Sequence, residues 1–243
     1  MRTLDALWAF CLLGLPIACA RAEGDSRMAT TTEGPLVLEL FTSQGCSSCP
    51  PADQLLSKLA GTGTLAERSL APLSFHVDYW NDLGWADPYS LPAWTDRQRQ
   101  YSRAIGDDRM YTPELVVGGA SGVIGSNLAT VTQAVLRAPR PALLAATAAW
   151  SKDAVTIKAT APGDADVWVA VWEDGASTKV LRGENSGETL KNDRVVRRLE
   201  RVAGAGQTSS TTVKLDPKWR ATGAVAFAQG ADRRITASAL LPR

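Results

Sequence analysis

The chain is poor in the residues from which dedicated binding sites are commonly built. It has one histidine, His76, and three methionines, with no histidine-rich or methionine-rich stretch, so the compositional signature of a metal-binding tract is missing. A structural zinc site normally takes four ligands, and the thiols and imidazole available here supply three. Charge of one sign is lacking as well. Setting aside residues 1–22, which hold Arg2, Arg21 and Asp5, leaves 24 basic and 24 acidic residues. With no basic stripe and no acidic tail, nothing in the charge points to nucleic acid or a membrane surface as a partner. The apolar stretch from Ala6 to Ala18 is shorter than the roughly 20 residues needed to span a bilayer, and Pro16 interrupts it. No membrane span is expected.

What that stretch does have is the build of a secretory signal: Arg2, an apolar segment, then the small residues Ala18-Cys19-Ala20-Arg21-Ala22. Residues 1–22 are therefore expected to direct export to a periplasmic or extracellular compartment. Cys19 is the candidate for a lipid anchor, but Pro16 stands where such a motif wants leucine. Cys11 and Cys19 fall in the leader, which leaves Cys46 and Cys49 as the only pair of the mature chain. A disulfide between residues three apart closes too short a loop to stabilise much, so a purely structural role explains the pair poorly.

The pair lies in Gly45-Cys46-Ser47-Ser48-Cys49-Pro50-Pro51, directly after the apolar run Leu36-Val37-Leu38-Glu39-Leu40-Phe41. A strand leading into C-x-x-C at a helix start is the layout of a thioredoxin-type dithiol site, because free N–H groups at a helix terminus stabilise a thiolate. Pro50 and Pro51 suit the first helical turn, whose N–H groups have no intrahelical partner. Ala52, Leu55, Leu56 and Leu59 then share one side, with Gly61 closing the helix. Leu73–Tyr79 alternates like a strand. Ser90–Ile105 reads as a helix with Arg97, Arg99 and Arg103 on a solvated face. Tyr111-Thr112-Pro113 opens a further strand, and Ser126–Leu136 reads as a capped helix.

After Pro139-Arg140-Pro141 the pattern changes. Ala154–Ala159, Asp166–Trp172, Ser210–Leu215, Ala224–Ala228 and Ile235–Leu240 all have strand character. The expected architecture is an α/β domain over residues 34–138 followed by an all-β, sandwich-like domain over 142–243.

The order of elements, the C-x-x-C and the Thr-Pro before a strand resemble the thioredoxin fold. The runs Leu40–Asp53, His76-Val77-Asp78-Tyr79-Trp80, Tyr111-Thr112-Pro113 and Arg182-Gly183-Glu184-Asn185 are similar to the secreted thioredoxin-like family catalogued as domain of unknown function 1223. The resemblance implies that Pro113 is cis and lies against the disulfide, and that Cys46 is the more exposed cysteine and the nucleophile, with Cys49 resolving the mixed disulfide. It brings no established reaction.

Thiol–disulfide exchange with protein thiols, protein disulfides or a small thiol is the chemistry such a site performs. No cofactor beyond the Cys46–Cys49 disulfide is expected, and a membrane redox donor is a possible partner. Glu39, seven residues before Cys46, is a candidate proton relay if buried without a partner; the competing reading is a carboxylate satisfied by an arginine or the backbone. Two thiolates with the imidazole of His76 also suit Cu(I), which makes an exported copper carrier through Cys46, Cys49 and His76 the alternative. A non-catalytic interaction module with an inert disulfide is the third. The loop Asn81–Pro88 with Trp80 and Trp85 either shapes a substrate groove or packs as core. Arg182–Gly187 is a polar, glycine-bearing loop without an evident catalytic pairing, which either touches the dithiol domain or connects strands.

Overall fold

Seven consecutive buried residues, Leu36–Thr42, form β1, and such a run needs cover on both faces of its sheet. The computed structural model describes residues 32–243; the expected leader, with Cys11 and Cys19, lies outside the described residues. After β1 come α1 (Pro50–Thr62), β2 (Thr64–Leu65), β3 (Arg68–His76), a 3₁₀ turn at Asn81–Leu83, α2 (Pro92–Ile105), β4 (Glu114–Val117), β5 (Ser121–Ile124) and α3 (Leu128–Arg137). The remainder is β6 (Ala142–Leu143), β7 (Ala146–Trp150), β8 (Ala154–Thr160), β9 (Ala165–Glu173), β10 (Ala176–Lys179), β11 (Thr189–Asn192), β12 (Val195–Ala203), β13 (Thr208–Lys214), β14 (Thr222–Gly230) and β15 (Ile235–Leu241).

The helices begin and end for local reasons. Pro50 and Pro92 open α1 and α2, and left-handed Gly63 and Gly106 close them with N–H groups bonded to Leu59 O and Ser102 O. Asn127 caps α3, accepting from the Thr130 N–H.

The expected pair of folds, a thioredoxin-like α/β domain and a separate β-sandwich, does not form. The described residues are 42% strand and 19% helix, and ten strands join in one mixed sheet of order β5-β4-β1-β3-β12-β9-β14-β15-β6, with β2 on β3. The join is parallel pairing of β3 with β12, Ser74 opposite Val195, where the Ser74 N–H reaches Arg194 O at 2.8 Å. At this point β12 takes a backbone donor that an edge strand would leave exposed. A second tie is the Ile235 N–H to Gly118 O. Beside it, Gly119 has φ +70°, and a Cβ there would lie 2.0 Å from Arg233 O, so only glycine lets the β4–β5 turn seat against the β14–β15 turn.

The cores ignore the expected hinge. Val37 and Phe41 of β1 and Phe75 of β3 pack with Trp94 and Tyr101 of α2 and also with Trp172, Val225 and Phe227 of the second half. On the opposite face, Leu36, Leu38 and Leu40 meet Ala52, Leu56 and Leu59 of α1 and Val131 and Val135 of α3. A small sheet of order β13-β8-β7 supplies Val155, Ile157 and Val213 to a third cluster against β9, β14 and β15.

Candidate functional site

The alternation along β1 places the site. Leu36, Leu38 and Leu40 face α1, and Thr42, in step with them, donates its hydroxyl to Asp53 Oδ2 of α1 at 3.2 Å. Glu39 is out of step and points with Val37 and Phe41 toward α2. There Arg97 donates two hydrogen bonds to its carboxylate and the Tyr101 hydroxyl a third. Gln229 of β14 joins by donating to the Tyr101 oxygen at 2.8 Å. The structure thus gives Glu39 an arginine partner on the face of β1 away from the dithiol helix. Arg97, expected on a solvated face, is buried in this cluster, whereas Arg99 is half-exposed beside Asp96.

Cys46 and Cys49 form a disulfide at the head of α1. The expected exposure of Cys46 is not found. Both cysteines are 0% exposed, while Ser47 and Ser48 between them are open to solvent. The loop between β10 and β11 bonds to the backbone of this turn. Asn185 Nδ2 donates to Gln44 O at 2.9 Å and to Cys46 O at 3.0 Å, and the Ser47 N–H donates to Glu184 Oε2 at 2.9 Å. That N–H holds the Glu184 carboxyl below its ordinary range.

Thr112–Pro113 is a cis peptide just before β4. Trp80 links it to the cysteine loop: its indole N–H donates to Thr112 Oγ1 at 2.9 Å, and its Cβ lies against Gly45, where an added methyl would come within 3.1 Å. Trp85 bonds Gln44 Oε1 and packs on Gly183. The aromatic loop therefore seats both the cysteine turn and the β10–β11 loop.

His76 pairs with Asp87, not with a metal set: Nδ1 lies 2.7 Å from Asp87 Oδ2, both side chains fully buried. Burial opposes the imidazolium, but the Asp87 charge and hydrogen bond outweigh it and raise the His76 pKa. Asp87, held down by His76 against its own burial, also accepts from the Gln44 N–H at 2.7 Å and the Tyr89 N–H at 2.9 Å. Among the described residues no group of three or more His, Cys, Asp and Glu is placed to hold a metal ion. Cys46, Cys49 and His76 do not form such a group.

Asp53 carries a carboxyl displaced upward near the dithiol. Its N–H bonds Cys49 O at 3.1 Å, so it follows Cys49 by one helical turn, on the same helix face. Burial, the largest influence, lifts its pKa to about 7 against the pull of His76 and the Thr42 hydroxyl. A cleft of about 520 Å³ runs alongside, lined by Ser47, Pro50, Asp53, Gln54, Asn185 and Lys191. Asp53 and Asp87 are the site residues that sequence reasoning missed: Asp53 had the look of an ordinary acidic residue in a first helical turn, and Asp87 reaches Gln44 from 43 residues away. Of the two readings of the Arg182–Gly187 loop, the structure gives the one in which it touches the cysteine turn, through Glu184 and Asn185.

The family described as "Protein of unknown function (DUF1223)" matches residues 37–229. The chain belongs to this family. It is also similar to a solved structure, the X-ray crystal structure of protein AGR_C_4864 from Agrobacterium tumefaciens. Identity is 30%, with 86% of this chain and 95% of that chain covered at a TM-score of 0.63. No curated protein matches. The family model takes in the Cys46–Cys49 turn and also Glu184 and Asn185, so the β10–β11 loop lies within the family domain.

Proposed function

We propose that this member of the DUF1223 family performs thiol–disulfide exchange through Cys46 and Cys49. The observation that carries the reading is a short-loop disulfide at a helix head with a buried carboxyl titrating near neutrality one turn behind it. In the oxidised protein a substrate thiolate attacks Cys46 Sγ. A substrate–Cys46 disulfide forms, the Cys46–Cys49 bond breaks, and Cys49 leaves as a thiolate that takes up a proton. A second substrate thiolate then attacks the substrate sulfur, and Cys46 leaves reduced. Two electrons pass from the substrate dithiol, which ends as a disulfide, to the protein, which ends as a dithiol. Asp53, with a pKa of about 7, keeps its proton in about half of the molecules at neutral pH and is the group on hand to supply it to Cys49. Arg2 and the apolar stretch Ala6–Ala18 support export as part of this reading.

A second reading is favoured by the full burial of both cysteines: a non-catalytic interaction module whose disulfide is inert. The experiment that separates them follows the thiols released on a disulfide-bonded protein probe after mixing it with reduced full-length protein. Exchange predicts a rate at least tenfold above that of an unfolded Cys-Ser-Ser-Cys peptide. Cys46→Ser should fall to the uncatalysed rate, and Cys49→Ala should accumulate the mixed disulfide. A wild-type rate no greater than the peptide's establishes the inert module.

A further inference from the structure

The β10–β11 hairpin lies outside the ten-stranded sheet and is held to the body by side chains: Gln44 Nε2 donates to Asn192 Oδ1 at 2.9 Å and the Thr178 hydroxyl to the Tyr89 oxygen at 3.1 Å. Among the described residues its strands pair only with each other, as a two-stranded sheet, and a two-stranded hairpin has little stability of its own. Yet its tip makes three hydrogen bonds with the dithiol turn, from Asn185 to Gln44 O and Cys46 O and from the Ser47 N–H to Glu184. Left-handed glycines flank these residues, Gly183 at φ +78° and Gly187 at φ +90°. The cleft beside Ser47 and Pro50 has dithiol-helix residues on one wall and Asn185, Glu188 and Lys191 on the other, so the seam between the hairpin and the start of α1 opens as a cleft at this point.

We propose that the β10–β11 hairpin is a lid on the dithiol, and that exchange runs only from a form in which the tip at residues 180–188 has lifted off Cys46. This rests on the exchange reading. A sulfur must be reached by the incoming sulfur before it can be attacked, and with both cysteines fully buried the closed form offers no approach. The lid also senses the redox state of what it covers. Glu184 places a carboxylate at the N–H of Ser47, at the helix head that would otherwise stabilise a Cys46 thiolate. A thiolate and this carboxylate repel, so reduction to the thiolate biases the hairpin toward opening and closure favours the neutral disulfide.

The test is the rate at which dithiothreitol reduces the disulfide of the full chain, read by alkylating the released thiols and weighing the product. A gated disulfide gives a rate that rises with dithiothreitol and then levels off at the opening rate. Asn185→Ala, which removes hydrogen bonds to two buried carbonyls, should raise that plateau about tenfold. Glu184→Gln should raise it about threefold and lower the pH at which Cys46 becomes alkylatable in the reduced protein. Amide exchange separates opening from general loosening: in Asn185→Ala the Ser47 N–H should lose protection while β1 amides keep theirs. A rate linear in dithiothreitol and equal in wild type and Asn185→Ala overturns the lid. So does a disulfide that stays unreduced in both, since the body of the fold would then be what buries it. A lid that opens to dithiothreitol in a protein that exchanges with no disulfide probe would overturn the exchange reading and leave the lid standing.

Discussion

Asp53→Asn is expected to stabilise the protein by about 4 kcal/mol at pH 8 and to change little at pH 4. In the unfolded chain this carboxyl ionises near 3.8, whereas in the folded protein burial holds its pKa at about 7. Between those values the unfolded state releases a proton that the folded state keeps, so native stability falls as pH rises from about 4 to 7. Above pH 7 the whole penalty is present, and asparagine, which does not ionise, removes it. His76 adds loss of the same sign on the alkaline side. Its raised pKa means that the stability of its pair with Asp87 is full below its ordinary value of 6.5 and is lost as pH climbs through the raised one. Urea unfolding from pH 4 to 9 should therefore show wild-type stability declining across the whole neutral range, and Asp53→Asn declining only in the upper part. If Asp53 also protonates Cys49, the inflection near pH 7 in the exchange rate disappears in the same variant. Parallel stability curves for the two proteins would mean that Asp53 ionises normally, and would remove it from the mechanism.

Glu39→Gln is expected to cost about 3 to 5 kcal/mol, the range for breaking a buried ion pair by removing one partner. Arg97 keeps its charge with only neutral oxygens around it, and the guanidinium also sits against the rings of Phe75, Tyr101 and Phe227. The denaturation midpoint should drop with little change in slope. Because Glu39 faces α2 and not α1, the pH profile of exchange should be unaltered. The double variant Glu39→Gln with Arg97→Met should recover much of the loss, since an uncharged core of similar volume is tolerated there. A single-variant cost below 1 kcal/mol would show that water reaches the pair.

The elements that were legible in the chain are those whose cause is local. The run Leu36–Phe41 is a strand because its apolar residues are continuous. Pro50 and Pro51 mark a helix start because a first turn has N–H groups to spare. The strand character of Asp166–Trp172 and Ala224–Ala228 is confirmed in β9 and β14. Helix ends shifted by a residue or two: α1 runs past Gly61 to the left-handed Gly63, and α2 starts at Pro92, with Ser90 bonded instead to Asp87 O. The cis Thr112–Pro113 bond agrees with what the family resemblance implied.

Partner choice was not legible. Val167–Trp172, apolar on both faces, says that its sheet is covered twice, but not that β12 and β14 flank it or that β12 continues to β3. Edge strands advertise hydrogen bonds without naming who takes them, so a single sheet looked like two domains. Arg97 reads as solvated for the same reason: the carboxylate that draws it inward is 58 residues away. Glu39 was one residue out of step for a relay, and alternation along the strand made that difference decisive, turning it to the opposite face.

By itself the sequence determined the chemistry on offer: one dithiol three residues apart, no surplus of charge, a single imidazole, and a helix start behind the sulfurs. These follow from composition and near neighbours, which need no fold to be read. Tertiary structure alone decided that Asn185, 139 residues downstream, would bond the Cys46 carbonyl, and that Asp53 would be buried deeply enough to raise its pKa to about 7. Both depend on removing water from a site, and that is done by whichever distant segments pack there.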